Sequence, residues 1–414
     1  MRRLLPWLLP ALLLIGCDSA VKAPAEDRKL EAQDDESVET SDDSSSALQA
    51  DQPKPAHSAD LKHTGFQAVL DGTAVSAQYT TEILVGTPAK SFEVVLDSGS
   101  SNLILLGGPK LCDNCSKQTG AVYEPSASSS AALSSDSFEI QYGSGSLKAR
   151  QVADTVAVSG HEGFSYTFGV MTHQAGISNI LGLAFESIAQ PKDAPLQPYF
   201  EALVQNAGLS DVFSLLLCGE KKGGTVDFGG AAVEPEIYLP IVDRSWYVVN
   251  VDELSIDGRS LGRLPQYERG RSKTIVDSGT NRLIVPQKIF DGIKQAVESK
   301  IGEKLKDLGG GTLGYDGKLP DFSQLPAIEI TAGEQTLSIA PETYMRKLNS
   351  VVALFAVAPG GGAAGDETAI LGQTFIENYY TVFDRANSRI GLAPIGDLCD
   401  QKTADEKTGK GEAS

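Results

Sequence analysis

The sequence predicts an all-β protein with a few short helices, folded as two homologous lobes. Three observations predict it: a composition rich in Gly and Pro, a duplicated Asp-Ser-Gly segment, and a second duplicated segment downstream of each copy. The 414 residues include 42 Gly and 20 Pro and are 41% hydrophobic, which suits many short strands joined by turns around a sizeable core. A formal charge of −19, with no clustered basic stripe, argues against a nucleic-acid partner.

In the first duplication, Phe92-Glu93-Val94-Val95-Leu96-Asp97-Ser98-Gly99-Ser100 is echoed by Lys273-Thr274-Ile275-Val276-Asp277-Ser278-Gly279-Thr280. Each copy runs on into apolar residues, Leu103-Ile104-Leu105-Leu106 and Leu283-Ile284-Val285, so each predicts a strand, an Asp turn and a strand. In the second duplication, Asn179-Ile180-Leu181-Gly182-Leu183 and Ala369-Ile370-Leu371-Gly372-Gln373 follow at similar offsets, 85 and 95 positions from Asp to Gly. A glycine inside an apolar strand predicts close approach of another backbone, here beneath the Asp turn. One Asp-Ser-Gly alone is ordinary turn chemistry. Two in matching apolar frames are more specific, because a turn does not require its flanking strands to repeat. The lobes are expected at residues 66–240 and 241–399, dividing near Pro240.

Outside the lobes the chain changes character. Arg2 and Arg3 precede an apolar run too short to span a bilayer, so residues 1–16 read as a secretory signal peptide. Its end, Leu14-Ile15-Gly16-Cys17, resembles a bacterial lipobox. That would place a lipid on Cys17 and hold an exported protein in the cell envelope, facing the periplasm or cell surface; a secreted product of an ordinary signal peptide is the alternative. Residues 18–60 hold twelve acidic residues against Lys22, Arg28, Lys29 and Lys54, so residues 17–65 are expected to be a disordered, solvated tether. Residues 400–414 read as a polar tail.

Over residues 78–399 the sequence resembles the pepsin-like aspartic peptidases. The likeness is carried by Gly86-Thr87-Pro88, by both Asp-Ser-Gly motifs, by Ile140-Gln141-Tyr142-Gly143-Ser144-Gly145, which resembles the family's flap hairpin, and by Tyr379-Tyr380-Thr381-Val382-Phe383-Asp384-Arg385, which resembles its C-terminal signature. Ile180-Leu181-Gly182-Leu183-Ala184-Phe185 and Phe213-Ser214-Leu215-Leu216-Leu217-Cys218-Gly219 look most like the beta-secretase branch. As in that branch, Ile104 stands where most pepsins carry a tryptophan against the flap tyrosine. The cleft arginine of beta-secretase aligns with Ile284, and Arg282 lies two positions earlier. Family zymogens carry a basic prosegment, whereas residues 18–60 are acidic.

The resemblance implies an aspartic endopeptidase that hydrolyses polypeptide substrates as a monomer, with no metal or cofactor. Asp97 and Asp277 would share one proton, since two carboxylates at hydrogen-bonding distance cannot both ionise; aspartic proteases are the standing example of such a pair. One would take a proton from water while the other hydrogen-bonds the substrate carbonyl. By the same likeness Ser98 and Ser278 cross-link the turns, and Ser100 and Thr280 donate to the outer carboxylate oxygens. Gly99 and Gly279 permit tight turns, while Tyr142, Gly143 and Gly145 form a flap that excludes water. Arg282 is expected near the cleft, favouring polar or acidic substrate side chains.

Cys218 and Cys399 match positions that are joined in beta-secretase. Cys112 and Cys115 have the spacing of a redox or zinc half-site, but in an exported chain a local disulfide is expected, leaving Cys17 alone for lipid. His57, His63, His161 and His173 show no metal spacing and are assigned to surface or core. Two rival readings are a catalytically inactive binding protein on the same fold and a lipid-tethered envelope module. Two intact Asp-Ser-Gly motifs favour the enzyme.

Overall fold

A computed structural model describes residues 65–401 apart from 74–77, 113–120, 143–144, 159–160, 174–177, 220–221, 265, 270 and 361–367. The expected signal peptide, Cys17, the tether through residue 64 and the tail from residue 402 lie outside the described residues, as do Gly143 and Cys115.

The protein is mostly β and bilobal, and the two duplications frame the lobes. In the first lobe, Lys90–Asp97 runs parallel to Ile180–Gly182, with Asp97 opposite Gly182. Leu103–Leu105 then returns antiparallel to Ile180–Gly182 and parallel to Phe164–His173. In the second lobe, Thr274–Val276 runs parallel to Ala369–Leu371, with Val276 opposite Leu371. Leu283–Val285 returns antiparallel to Ala369–Leu371 and parallel to Val357–Pro359. These short strands are apolar without alternation because both of their faces are covered: Leu103, Leu181, Leu283 and Leu371 are all fully buried.

The two glycines of the second duplication sit where expected. A Cβ on Gly182 would come within 2.5 Å of the Ser101 carbonyl carbon, and one on Gly372 within 2.2 Å of Arg282 O. Only glycine lets each strand lie directly beneath its Asp turn.

A six-stranded antiparallel sheet joins the lobes in the order Phe66–Thr73, Gly224–Phe228, Val212–Leu217, Tyr379–Asp384, Arg389–Pro394 and Ile237–Asp243. Pro240, the expected boundary, falls inside the last of these strands, opposite Arg389. Val212–Leu217 is buried at every position. There Phe213 and Phe383 stack with ring centroids 4.5 Å apart, and Tyr247 packs edge-on against both. Gly145–Val158, by contrast, alternates: Leu147, Ala149, Val152, Val156 and Val158 are buried between more exposed neighbours.

A disulfide joins Cys218 to Cys399 across 181 positions. Cys112 is also disulfide-bonded, and its expected partner, Cys115, lies outside the described residues. Among the described residues no helix is long and apolar enough to cross a membrane.

Candidate active site

Paired strands place both acidic residues. Asp97 is the last residue of Lys90–Asp97, and Asp277 directly follows Thr274–Val276. Leu183 N donates to Asp97 O at 2.8 Å, and Asp277 N donates to Leu371 O at 3.1 Å, so each turn is tied to the strand beneath it. The Asp97 and Asp277 side chains are buried, at 2% and 1% exposure.

The two turns grip each other reciprocally. Ser98 N donates to Ser278 Oγ at 3.0 Å, and Ser278 N donates to Ser98 Oγ at 2.8 Å. Each hydroxyl then reaches the strand before the other turn, Ser98 Oγ donating to Val276 O and Ser278 Oγ to Leu96 O. Every hydroxyl both accepts and donates, so no polar group in this buried latch is wasted.

Around the carboxylates the pattern is again duplicated. Gly99 N donates to Asp97 Oδ1 at 2.9 Å and Gly279 N to Asp277 Oδ1 at 2.8 Å. Ser100 Oγ donates to Asp97 Oδ2, and Thr280 Oγ1 to Asp277 Oδ2 at 2.6 Å. The glycines answer to a cause the sequence did not disclose. A Cβ on Gly99 would come within 2.6 Å of the Asp277 carboxyl carbon, and one on Gly279 within 2.3 Å of Asp97 Oδ1. Neither glycine has the positive φ that would demand it; each makes room for the opposite aspartate.

Burial, and after it the neighbouring Asp97, hold the Asp277 carboxyl well above the usual carboxylate range; the bonds from Thr280 and Gly279 pull the other way. The arrangement presents two facing buried carboxyl groups, one of which keeps a proton where an exposed aspartate would have lost it. Such a pair can accept and donate a proton in the same step.

The expected flap is the hairpin of Ala132–Tyr142 and Gly145–Val158, with Tyr142 paired to Gly145 at its end. Gly145 has φ 152°, a value suited to glycine at a hairpin end. The Tyr142 ring is buried in one apolar cluster with Ile104, Ile140, Leu147 and Ile180. Ile104 therefore stands in the packing around the tyrosine, giving it aliphatic contact.

Arg282 precedes Leu283–Val285 and is 7% exposed; its Nη2 donates to Thr312 Oγ1 at 2.9 Å. A substrate side chain would have to reach it in the interior. His161 lies against the Phe66 ring and His173 is exposed, whereas His57 and His63 lie outside the described residues. No cluster of three or more metal-ligating side chains occurs among the described residues.

Two residues at the site were missed by sequence reasoning. Trp246 Nε1 donates to Gly99 O at 3.0 Å, so the second half of the chain holds the first turn from outside the latch, and Lys273 Nζ lies 3.5 Å from the centre of the Trp246 ring. Gln373 Nε2 donates to Ser278 O at 2.8 Å. One signal was available for Trp246: the chain has two tryptophans, and the other, Trp7, lies in the apolar run near the N-terminus.

A bilobal β fold that latches two buried Asp-Ser-Gly turns together defines an aspartic endopeptidase. The chain belongs to the eukaryotic aspartyl protease family, whose model matches residues 78–395. It is 28% identical to chymosin of Callithrix jacchus over 360 residues, covering 81% of this chain and 87% of that protein. It is also 28% identical to pepsin A of Gallus gallus over 338 residues, 78% and 85% of the two chains, and to human gastricsin over 341 residues, 77% and 82%.

Proposed function

We propose that Asp97 and Asp277 act as one acid–base unit that hydrolyses peptide bonds with an activated water. The observation that carries this reading is the pair of buried carboxyls held by the reciprocal serine latch, one of them with its proton affinity raised by burial and by the other. The charged member takes a proton from water as the protonated member hydrogen-bonds the scissile carbonyl, and the proton returns to the leaving amine. Gly99 N, Gly279 N, Ser100 and Thr280 fix the carboxylate planes, so little reorganisation accompanies the step. In this reading Tyr142, with Gly143 and Gly145, covers the bound peptide and excludes water.

Asp97→Asn and Asp277→Asn each preserve size and remove proton sharing. Each variant should remain folded by circular dichroism and lose about 10²–10⁴-fold or more in kcat. Near-normal cleavage by either folded variant would refute the dyad. An inactive binding protein on this fold would instead show no Asp-dependent cleavage of a peptide library at any pH.

We also propose that the exported enzyme is tethered by a lipid on Cys17. The support is the lipobox-like Leu14-Ile15-Gly16-Cys17 followed by the acidic segment. Metabolic labelling with a fatty-acid probe should mark wild type and not Cys17→Ser; a variant that keeps the label in the membrane fraction removes the tether from the proposal.

A further inference from the structure

The duplication that builds the dyad is incomplete, and a tryptophan stands where it fails. In the second lobe Gln373, next to Gly372, holds the Asp277 turn twice, its N donating to Thr280 O at 2.7 Å and its Nε2 to Ser278 O at 2.8 Å. The counterpart next to Gly182 is Leu183, whose side chain has no donor. The first turn has a different support, Trp246 Nε1 donating to Gly99 O at 3.0 Å.

Trp246 is anchored to the strand of the other aspartate. It lies just before Val248–Val249, which pairs antiparallel with Thr274–Val276, the strand that leads into Asp277. Val276 N donates to Tyr247 O at 3.0 Å, and Lys273, directly before the same strand, places Nζ 3.5 Å from the centre of the Trp246 ring. The indole is thus held through its backbone and on its face by the Asp277 strand, while its N–H reaches the Asp97 turn. It meets that turn at a glycine, the residue with the widest backbone freedom. On either side of the carbonyl it holds are the two donors to Asp97, Gly99 N on Oδ1 and Ser100 Oγ on Oδ2.

We infer that Trp246 is a positioning residue of the dyad: its N–H fixes the Gly99–Ser100 peptide so that both donors keep the Asp97 carboxyl aimed at Asp277. The inference rests on the acid–base reading of the two aspartates and adds a second connection between their turns, outside the serine latch. Gly99 N and Ser100 Oγ favour the ionised form of the carboxyl they meet, so loosening them makes the pair harder to ionise. Lys273 lies on the ring, Asp97 and Asp277 on the two turns, and Arg385 Nη1 and Tyr247 OH donate to Leu183 O beneath the first turn. None of these groups is altered by Trp246→Phe, which keeps an aromatic face for Lys273 and deletes the N–H.

The test follows cleavage of a fluorogenic peptide by the full chain across pH. Trp246→Phe should lower kcat by about 10-fold to 10²-fold with KM within about twofold of wild type, and should move the acid limb of the kcat/KM profile to higher pH. A melting temperature measured alongside establishes that the variant is folded; a merely structural role would lower it and leave the pH limb in place. Wild-type kcat and pH limb in the folded variant overturn the inference. So does a raised KM with unchanged kcat, which would make Trp246 a wall of the substrate cleft. If Asp97→Asn is inactive while Trp246→Phe behaves as wild type, only this inference fails; near-normal cleavage by Asp97→Asn removes the acid–base reading itself. Should Trp246→Phe not fold, nuclear magnetic resonance of the otherwise wild-type chain labelled with 15N-tryptophan decides, with Trp7→Phe separating the two indole signals. The Trp246 indole signal should move as the pair titrates and when a hydroxyl-bearing transition-state mimic binds, and a signal indifferent to both overturns the inference.

Discussion

At the scale of single residues, the second aspartate is subject to opposing influences, of which burial is the largest. Burial and Asp97 favour its protonated form, while Thr280 Oγ1, donating to Oδ2, favours its ionised form. Thr280→Val keeps the shape and deletes the donor, so the Asp277 carboxyl should move further up. In a proton-sharing pair, activity is lost at high pH when the second proton leaves. The alkaline limb of the kcat/KM profile should therefore shift to higher pH in Thr280→Val, while the variant stays folded. A pH profile superimposable on wild type, or a shift to lower pH, would show that this hydroxyl does not tune the pair. The residues that carry this argument were legible in the sequence because the motif occurs twice with its hydroxyl-bearing second and fourth positions intact. Trp246 was not legible: its contact with Gly99 O spans 147 positions and has no counterpart in a local pattern.

At the scale of elements, each lobe depends on a strand passing under a turn with no side chain between them. Gly372 has Thr280 O and Arg282 O within 2.3 Å of where a Cβ would stand, and both are backbone atoms that cannot swing away. Gly372→Ala should consequently destabilise the fold by about 1–3 kcal/mol or more and lower kcat, because the displaced segment carries Asp277. Denaturant unfolding together with activity checks this, and an alanine variant with unchanged midpoint and rate would remove the close-packing argument. The same mutation at Gly208 is a useful contrast. Its Cβ would meet no neighbouring atom, and its φ of 64° as the cap of Tyr199–Ala207 makes the cost one of backbone strain alone.

At the scale of the whole molecule, the six-stranded sheet and the Cys218–Cys399 bridge tie distant parts of the chain together. The bridge links the end of Val212–Leu217 to the segment after Arg389–Pro394, two strands of that sheet, and closes 181 positions. Disulfides are typically worth about 2–4 kcal/mol, acting mainly by constraining the unfolded state. Cys218→Ala/Cys399→Ala should lose stability in that range while keeping the latch and the activity. Peptide mapping without reductant should recover the two cysteines in one fragment pair from the purified protein, and recovery of both as free thiols would contradict the bridge.

The amino-acid sequence by itself determined the duplication, the two Asp turns, the glycines beneath them and the polar residues that flank each carboxylate. These are properties of short segments, where alternation, turn chemistry and repetition act on neighbours along the chain. Tertiary structure decided what depends on the two halves meeting: that Gly99 makes room for Asp277 and Gly279 for Asp97, and that Trp246 supports the first turn. It also placed Pro240, where the lobes were expected to divide, within a strand of the joining sheet opposite Arg389. The physical reason is that exclusion of one side chain by another, and a hydrogen bond such as that from Trp246 to Gly99 O, are set by distance in space across 147 or more positions of chain, which no local pattern encodes.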